Sequence, residues 1–92
     1  MQIGRKIYRF KPGRRFFDFD ENSFLVDVNG KQLFNLGRSS AMIAKQLNGR
    51  NNMEKIAEVV QTHYRVNTAE AESAVEKCIH MMEANGFIEE VR

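Results

Sequence analysis

The run Ser23-Phe-Leu-Val-Asp-Val-Asn-Gly-Lys-Gln-Leu-Phe-Asn-Leu36 sets Asn29-Gly30 between two β-prone segments. Both central residues of a type I′ turn need positive φ, which Asn and Gly tolerate best. The spacing predicts strands at about 23–28 and 31–36 that face each other as Val28/Lys31, Val26/Leu33 and Phe24/Asn35. Phe24, Val26 and Leu33 then share one face, and Leu25, Phe34 and Leu36 the other. A small antiparallel sheet is ordinarily apolar on one side only. Two apolar sides imply cover by the N-terminal strand or another chain, or a binding surface. A two-residue turn also aims the backbone groups of Lys31, Leu33 and Asn35 at the preceding strand. Those of Gln32, Phe34 and Leu36 then point outward.

Upstream, Arg15-Phe-Phe-Asp-Phe-Asp20 alternates from Phe17 and reads as a further strand, turned by Asp20-Glu21-Asn22. Pro12-Gly13 separates it from a basic arm in which Ile7-Tyr-Arg-Phe10 is expected to pair weakly or not at all. Residues 1–15 hold Arg5, Lys6, Arg9, Lys11, Arg14 and Arg15 with no acid, whereas twelve acids outnumber the eight remaining basic residues. Such an arm suits nucleic acid, anionic lipid or an acidic protein; a solvated terminal segment or polar edge strand is the plainer reading. The division expected is an arm over 1–14 and one domain over 15–92.

Downstream the apolar period changes from two to 3.6. Gly37 ends the strand, Ser39 or Ser40 can cap a short helix through Leu47, and Gly49 suits its C-terminal turn. Asn51 or Asn52 caps a second helix whose apolar positions are Met53, Ile56, Ala57, Val60 and Tyr64. Asn67 or Thr68 caps a third, which runs to about Asn85 and stops at Gly86, leaving Phe87 and Ile88 as an anchor. On a helical wheel Ala71, Val75, Cys78, Ile79 and Met82 form the core face of the third helix. Ala74 and Met81 extend one flank, and Glu72, Glu76 and Glu83 line the other.

At 92 residues, with 42% hydrophobic and 28% charged side chains, the chain is one small α+β domain. No apolar run approaches ~18 residues, so no membrane span is expected. The absence of a signal-like N-terminal stretch and the single Cys78 suggest a reducing cytoplasm. No catalytic residues, metal ligands or cofactor motif are found. His63 and His80 fall on different helices, Cys78 and His80 on different faces of one helix, and the six glycines build no phosphate loop. Cys78 on a core face is a buried, inert thiol.

Several of these local patterns recur together in one family. Leu36-Gly37-Arg38-Ser39, Leu47-Asn48-Gly49-Arg50, Met53-Glu-Lys-Ile-Ala57, Tyr64-Arg-Val66 and Gly86-Phe-Ile88 keep its spacing without insertion. The stretch from Gly30 to Ile88 thus resembles the PqqD family of RiPP recognition elements. The family's Asn after Leu is Gly37 here, and an acidic residue often seen in its third helix is Ala74.

The resemblance implies a winged helix-turn-helix-like fold, a three-stranded antiparallel sheet followed by three helices. It also implies a non-catalytic adaptor that captures the leader of a ribosomally made precursor peptide by strand addition. The adaptor then presents the leader to a modifying enzyme, often a radical SAM enzyme, in pyrroloquinoline quinone biosynthesis or another peptide-maturation pathway. The peptide-binding residues implied are Gln32, Leu33, Phe34, Asn35 and Leu36 of the third strand, and Ala74, Cys78 and Met81 of the third helix. A homodimer through the apolar sheet face is a further option.

The alternative is a winged-helix DNA-binding protein, since fold alone does not decide function. A groove-reading helix needs cationic or amide side chains, whereas Ala69–Asn85 carries Glu70, Glu72, Glu76 and Glu83 against Lys77. Titration with random-sequence duplex at ~150 mM salt is therefore expected to give no tight complex. Weak binding that disappears steeply with salt reports only the basic arm; a complex that persists contradicts the adaptor reading.

Overall fold

The computed structural model describes residues 3–28 and 32–92. The Asn29-Gly30 turn and Lys31 lie outside the described residues. In chain order the elements are β1 (Ile7–Phe10), β2 (Arg14–Phe19), β3 (Asn22–Asp27), β4 (Gln32–Leu36), α1 (Arg38–Lys45), β5 (Asn48–Asn52), α2 (Met53–Tyr64), α3 (Thr68–Ala84) and β6 (Ile88–Glu90). They form an α+β fold with two antiparallel sheets, ordered β2-β3-β4 and β5-β1-β6. The sequence pattern implied one sheet and then three helices; the second sheet interleaves with the helices instead.

The first sheet is a meander. Phe19 pairs with Asn22 across Asp20-Glu21, whose φ values of 51 and 65° make the two-residue turn left-handed. β3 and β4 pair in the expected register, with Val26 opposite Leu33 and Phe24 opposite Asn35. Paired residues share a face. Phe16, Leu25 and Phe34 point toward the helices, and Arg15, Val26 and Leu33 away from them.

The second sheet corrects the reading of the N-terminal segment. β1 is the central strand, flanked by β5 and β6, and Tyr8 is only 2% exposed. The first turn of any helix leaves backbone N–H groups without intrahelical partners. Here the N-terminal segment supplies two of the missing acceptors, since Met53 N–H donates to the Lys6 carbonyl and Glu54 N–H to that of Gly4. Asn52 Oδ1 accepts a third such bond from Lys55 N–H at 2.8 Å. A Cβ on Gly4 would come within 2.7 Å of the Glu54 carboxylate, so a larger residue there would have to displace that side chain. At the other end, Val91 N–H donates to the Ile7 carbonyl at 2.7 Å.

Between α1 and α2 the chain departs from the sequence pattern. α1 starts at Gly37 with no side-chain cap, rather than on Ser39 or Ser40, and closes at Gln46. Asn48 and Gly49 belong to β5 instead of the end of α1. The register against β1 slips between Ile7↔Asn52 and Arg9↔Asn48. The bulge is held by Asn48 Oδ1, which accepts from Arg50 and Asn51 N–H, and by Gly49 at φ +79°.

α3 opens on a capping box: Asn67 Oδ1 accepts from Glu70 N–H at 2.8 Å, and the Glu70 carboxylate accepts in return from Asn67 N–H. Its buried residues are Ala71, Val75, Cys78, Ile79 and Met82, the face given by the wheel. Phe87 and Ile88 then enter a core shared by both sheets and all three helices, with Tyr8, Leu25, Ile43, Met53 and Ile56.

Tyr8 links the N-terminal strand to that core. Tyr8→Ala is expected to cost about 3 kcal/mol and to lower Tm by more than ~10 °C in thermal denaturation followed by circular dichroism. An unchanged Tm would mean that the segment is a solvated arm after all.

Candidate functional site

β4 lies at the edge of its sheet, so one row of its backbone groups is not taken up by a described strand. Which residues form that row follows from β3. Along a strand, successive residues direct their N–H and C=O to opposite neighbours. Val28 N–H donates to the Gly13 carbonyl at 2.9 Å, on the β2 side. The turn at Asp20-Glu21 requires the same of Asn22, since the pair closing a two-residue hairpin exchanges ladder bonds. Asn22, Phe24, Val26 and Val28 therefore serve β2, leaving Ser23, Leu25 and Asp27 to serve β4.

Their partners on β4 are Leu36, Phe34 and Gln32. These three bond inward, and Leu33 and Asn35 direct their backbone groups to the free edge. The sequence pattern implied the reverse, with Gln32, Phe34 and Leu36 outward, because a two-residue turn at Asn29-Gly30 sets the opposite alternation. The signal that decides it is the other turn. Asn22 and Val28 are an even number of residues apart, so they cannot close two-residue hairpins on opposite sides of one strand.

The side chains implied for the site fall into three settings. Leu33 and Asn35 are exposed on the outer face of the sheet. Phe34 is half-buried with its ring edge-on to Phe87, 5.2 Å between centroids, which joins β4 to the segment following α3. Leu36 is in the core. On α3, Ala74 and Met81 are half-buried and Cys78 is buried. The Cys78 thiol lies 4.0 Å from the Ser40 carbonyl, and burial pushes its pKa up, so it stays a protonated and inert thiol. Backbone acceptors and donors along β4, with apolar side chains to either side, suit main-chain pairing and not bond-making chemistry.

Electrostatics separate this edge from the basic segment. Arg9 meets Glu89 through both Nε and Nη2 at 3.0 Å, and Lys6 lies 3.7 Å from Glu90. Arg14 is 3.8 Å from Asp27. The Tyr8 hydroxyl has its pKa raised, first by burial and then by Glu83 and Glu90. At the far end of the sheet, Ser23 Oγ donates to Asp18 at 2.6 Å, and that bond, with Lys45 at 3.2 Å, lowers the Asp18 pKa. Among the described residues no cluster of three or more His, Cys, Asp or Glu could hold a metal ion, and no helix is long and apolar enough to cross a membrane.

Comparisons with known proteins place this fold. The family model described as Coenzyme PQQ synthesis protein D (PqqD) matches residues 22–88. No curated protein matches the sequence. Among solved structures, a lasso peptide synthetase B1 complexed with the leader peptide is 20% identical, with a TM-score of 0.80 over 89% of this chain and 96% of that one. TbiB1 in complex with the TbiA(beta) leader peptide is 15% identical, with a TM-score of 0.78 over 88% and 94%. The PqqD truncation of Methylobacterium extorquens PqqCD, described as a functional and stand-alone RiPP recognition element, is 19% identical, with a TM-score of 0.78 over 94% and 92%.

Proposed function

The chain belongs to the PqqD family, and we propose that it is a non-catalytic peptide-binding adaptor. It captures the leader of a ribosomally made precursor by strand addition to β4 and presents it to a modifying enzyme. The observation that carries this reading is the free β4 edge, where Leu33 and Asn35 offer backbone donors and acceptors beside exposed apolar side chains. Two proteins with this fold are described in complex with leader peptides, and a third as a stand-alone recognition element, which supports it.

In this proposal the leader pairs with Leu33 and Asn35, while Gln32, Phe34 and Leu36 hold β4 against β3. Side chains on one face of the leader then meet the Ala74–Met81 flank of α3, with Cys78 beneath it. Main-chain bonds supply affinity and alternate side chains supply choice. Ordering a flexible leader costs ~2–5 kcal/mol, so net affinity is expected near micromolar, ~8 kcal/mol. A radical SAM enzyme as recipient, a cytoplasmic setting and a winged-helix-like description of the helices belong to the same proposal. The modified peptide is a pyrroloquinoline quinone precursor or a peptide of another maturation pathway. Nothing favours the DNA-binding alternative: α3 is acidic, and Arg9 and Lys6 are engaged by Glu89 and Glu90.

Two proline variants test the edge, because proline removes one N–H at a chosen side of β4. Asn35→Pro deletes an outward donor. It should keep Tm within a few degrees and weaken binding of a cognate leader at least tenfold by titration calorimetry, ~1.4 kcal/mol. Asn35→Thr keeps the N–H and should bind nearly as the parent does. Gln32→Pro deletes a bond to β3 and should lower Tm by ~5 °C or more. Tight binding by a folded Asn35→Pro variant would move the site away from this edge.

A further inference from the structure

We propose that the outer face of the β2-β3-β4 sheet is the surface on which two copies of this chain associate, sheet against sheet, with their strands antiparallel. Six side chains of the face are apolar, beside Arg15, Asn22 and Asn35. Phe19 is 68% exposed, Leu33 61%, Val28 58% and Phe17 42%, with Phe24 and Val26 half-buried between them. Phe17 stacks on Phe24 at 5.5 Å between centroids, giving the face a flat aromatic centre. β1, which the sequence offered as a cover, belongs to the other sheet.

Area and charge point to a second copy as the occupant. These six side chains present on the order of 500 Å², at the upper end of what a monomer's largest apolar patch shows. Two such faces together bury roughly 1,000 Å², the lower bound for a specific interface. The charges on and beside the face are segregated. Arg15 lies at one end of β2 and Asp20-Glu21 form the turn at the other; all three are exposed, and none has an ion pair among the described residues. A twofold axis crossing the strands at the Phe17–Phe24 stack brings Arg15 of each copy to the Asp20-Glu21 turn of the other. An axis along the strands would set Arg15 against Arg15. The charges therefore select the antiparallel arrangement, and the closed symmetry makes the contact self-limiting. The proposal does not rest on peptide capture, since it uses the face of the sheet and not the edge of β4.

Sedimentation velocity from ~10 µM to ~1 mM tests it. The parent should pass from monomer to dimer with a midpoint on the order of 100 µM. Phe19→Ser should remain monomeric throughout with an unchanged circular dichroism spectrum, and Val28→Ser should weaken association in the same direction. Arg15→Glu should weaken it at least fivefold, and adding Glu21→Lys should regain at least half of that loss. A parent that stays monomeric to ~1 mM overturns the proposal. So does a folded Phe19→Ser variant that dimerises as the parent does. A monomeric parent whose capture of a modifying enzyme is lost on Phe19→Ser also overturns it, assigning the face to that enzyme.

Discussion

A residue in an extended strand serves one neighbour with both its backbone groups, and the next residue serves the other. β3 has neighbours on both sides, so a single observed bond fixes the whole meander. Val28 N–H on the Gly13 carbonyl commits Asn22, Phe24 and Val26 to β2. Ser23, Leu25 and Asp27 are left for β4, and Leu33 and Asn35 for whatever joins the edge. The same alternation assigns the side chains, so Leu33 and Asn35 lie on the outer face while Phe34 and Leu36 turn to the core. Edge chemistry and face chemistry are thus one constraint seen in two directions.

The second sheet gives that meander a rigid base. β1 holds the segment before α2 and the segment after α3 together, and the residues preceding it satisfy two donors of the first turn of α2. Phe87 and Ile88 follow α3 directly into the core, and Phe87 meets Phe34 of β4. An edge strand offered to a peptide has to be ordered before the peptide arrives, because any ordering left undone is subtracted from affinity. The aromatic contact between Phe34 and Phe87, with Leu36 in the core, adds to the order that pairing with β3 gives β4.

Much of this was legible in the residues. The spacing about Asn29-Gly30 yielded the correct register, with Val26 opposite Leu33 and Phe24 opposite Asn35. Asn52 and Asn67, each one of two cap candidates in the sequence, are the N-caps of α2 and α3. The five-residue core face of α3 followed from its period. The second sheet was not legible, and its composition explains why. Asn48–Asn52 reads Asn-Gly-Arg-Asn-Asn, with no β-branched or aromatic residue, and β6 is three residues long. Both are strands only because β1, distant in sequence, pairs with them. Of the candidate site, the β4 strand and the Ala74–Met81 flank of α3 were legible as structural elements. The side of β4 that faces outward was not, because Asn29-Gly30 is the stronger turn signal and Asp20-Glu21 the one whose spacing decides.

The central claim is that Leu33 and Asn35 carry the free row of β4 and that a leader peptide pairs with them. Amide hydrogen exchange resolved by residue, with and without saturating leader, tests it most directly. The account predicts that Phe34 and Leu36 are already protected in the free protein, that Leu33 and Asn35 exchange quickly there, and that these two gain at least tenfold protection with the leader bound. Fast exchange at Phe34 and Leu36 in the free protein, or protection on binding confined to α3, would contradict it.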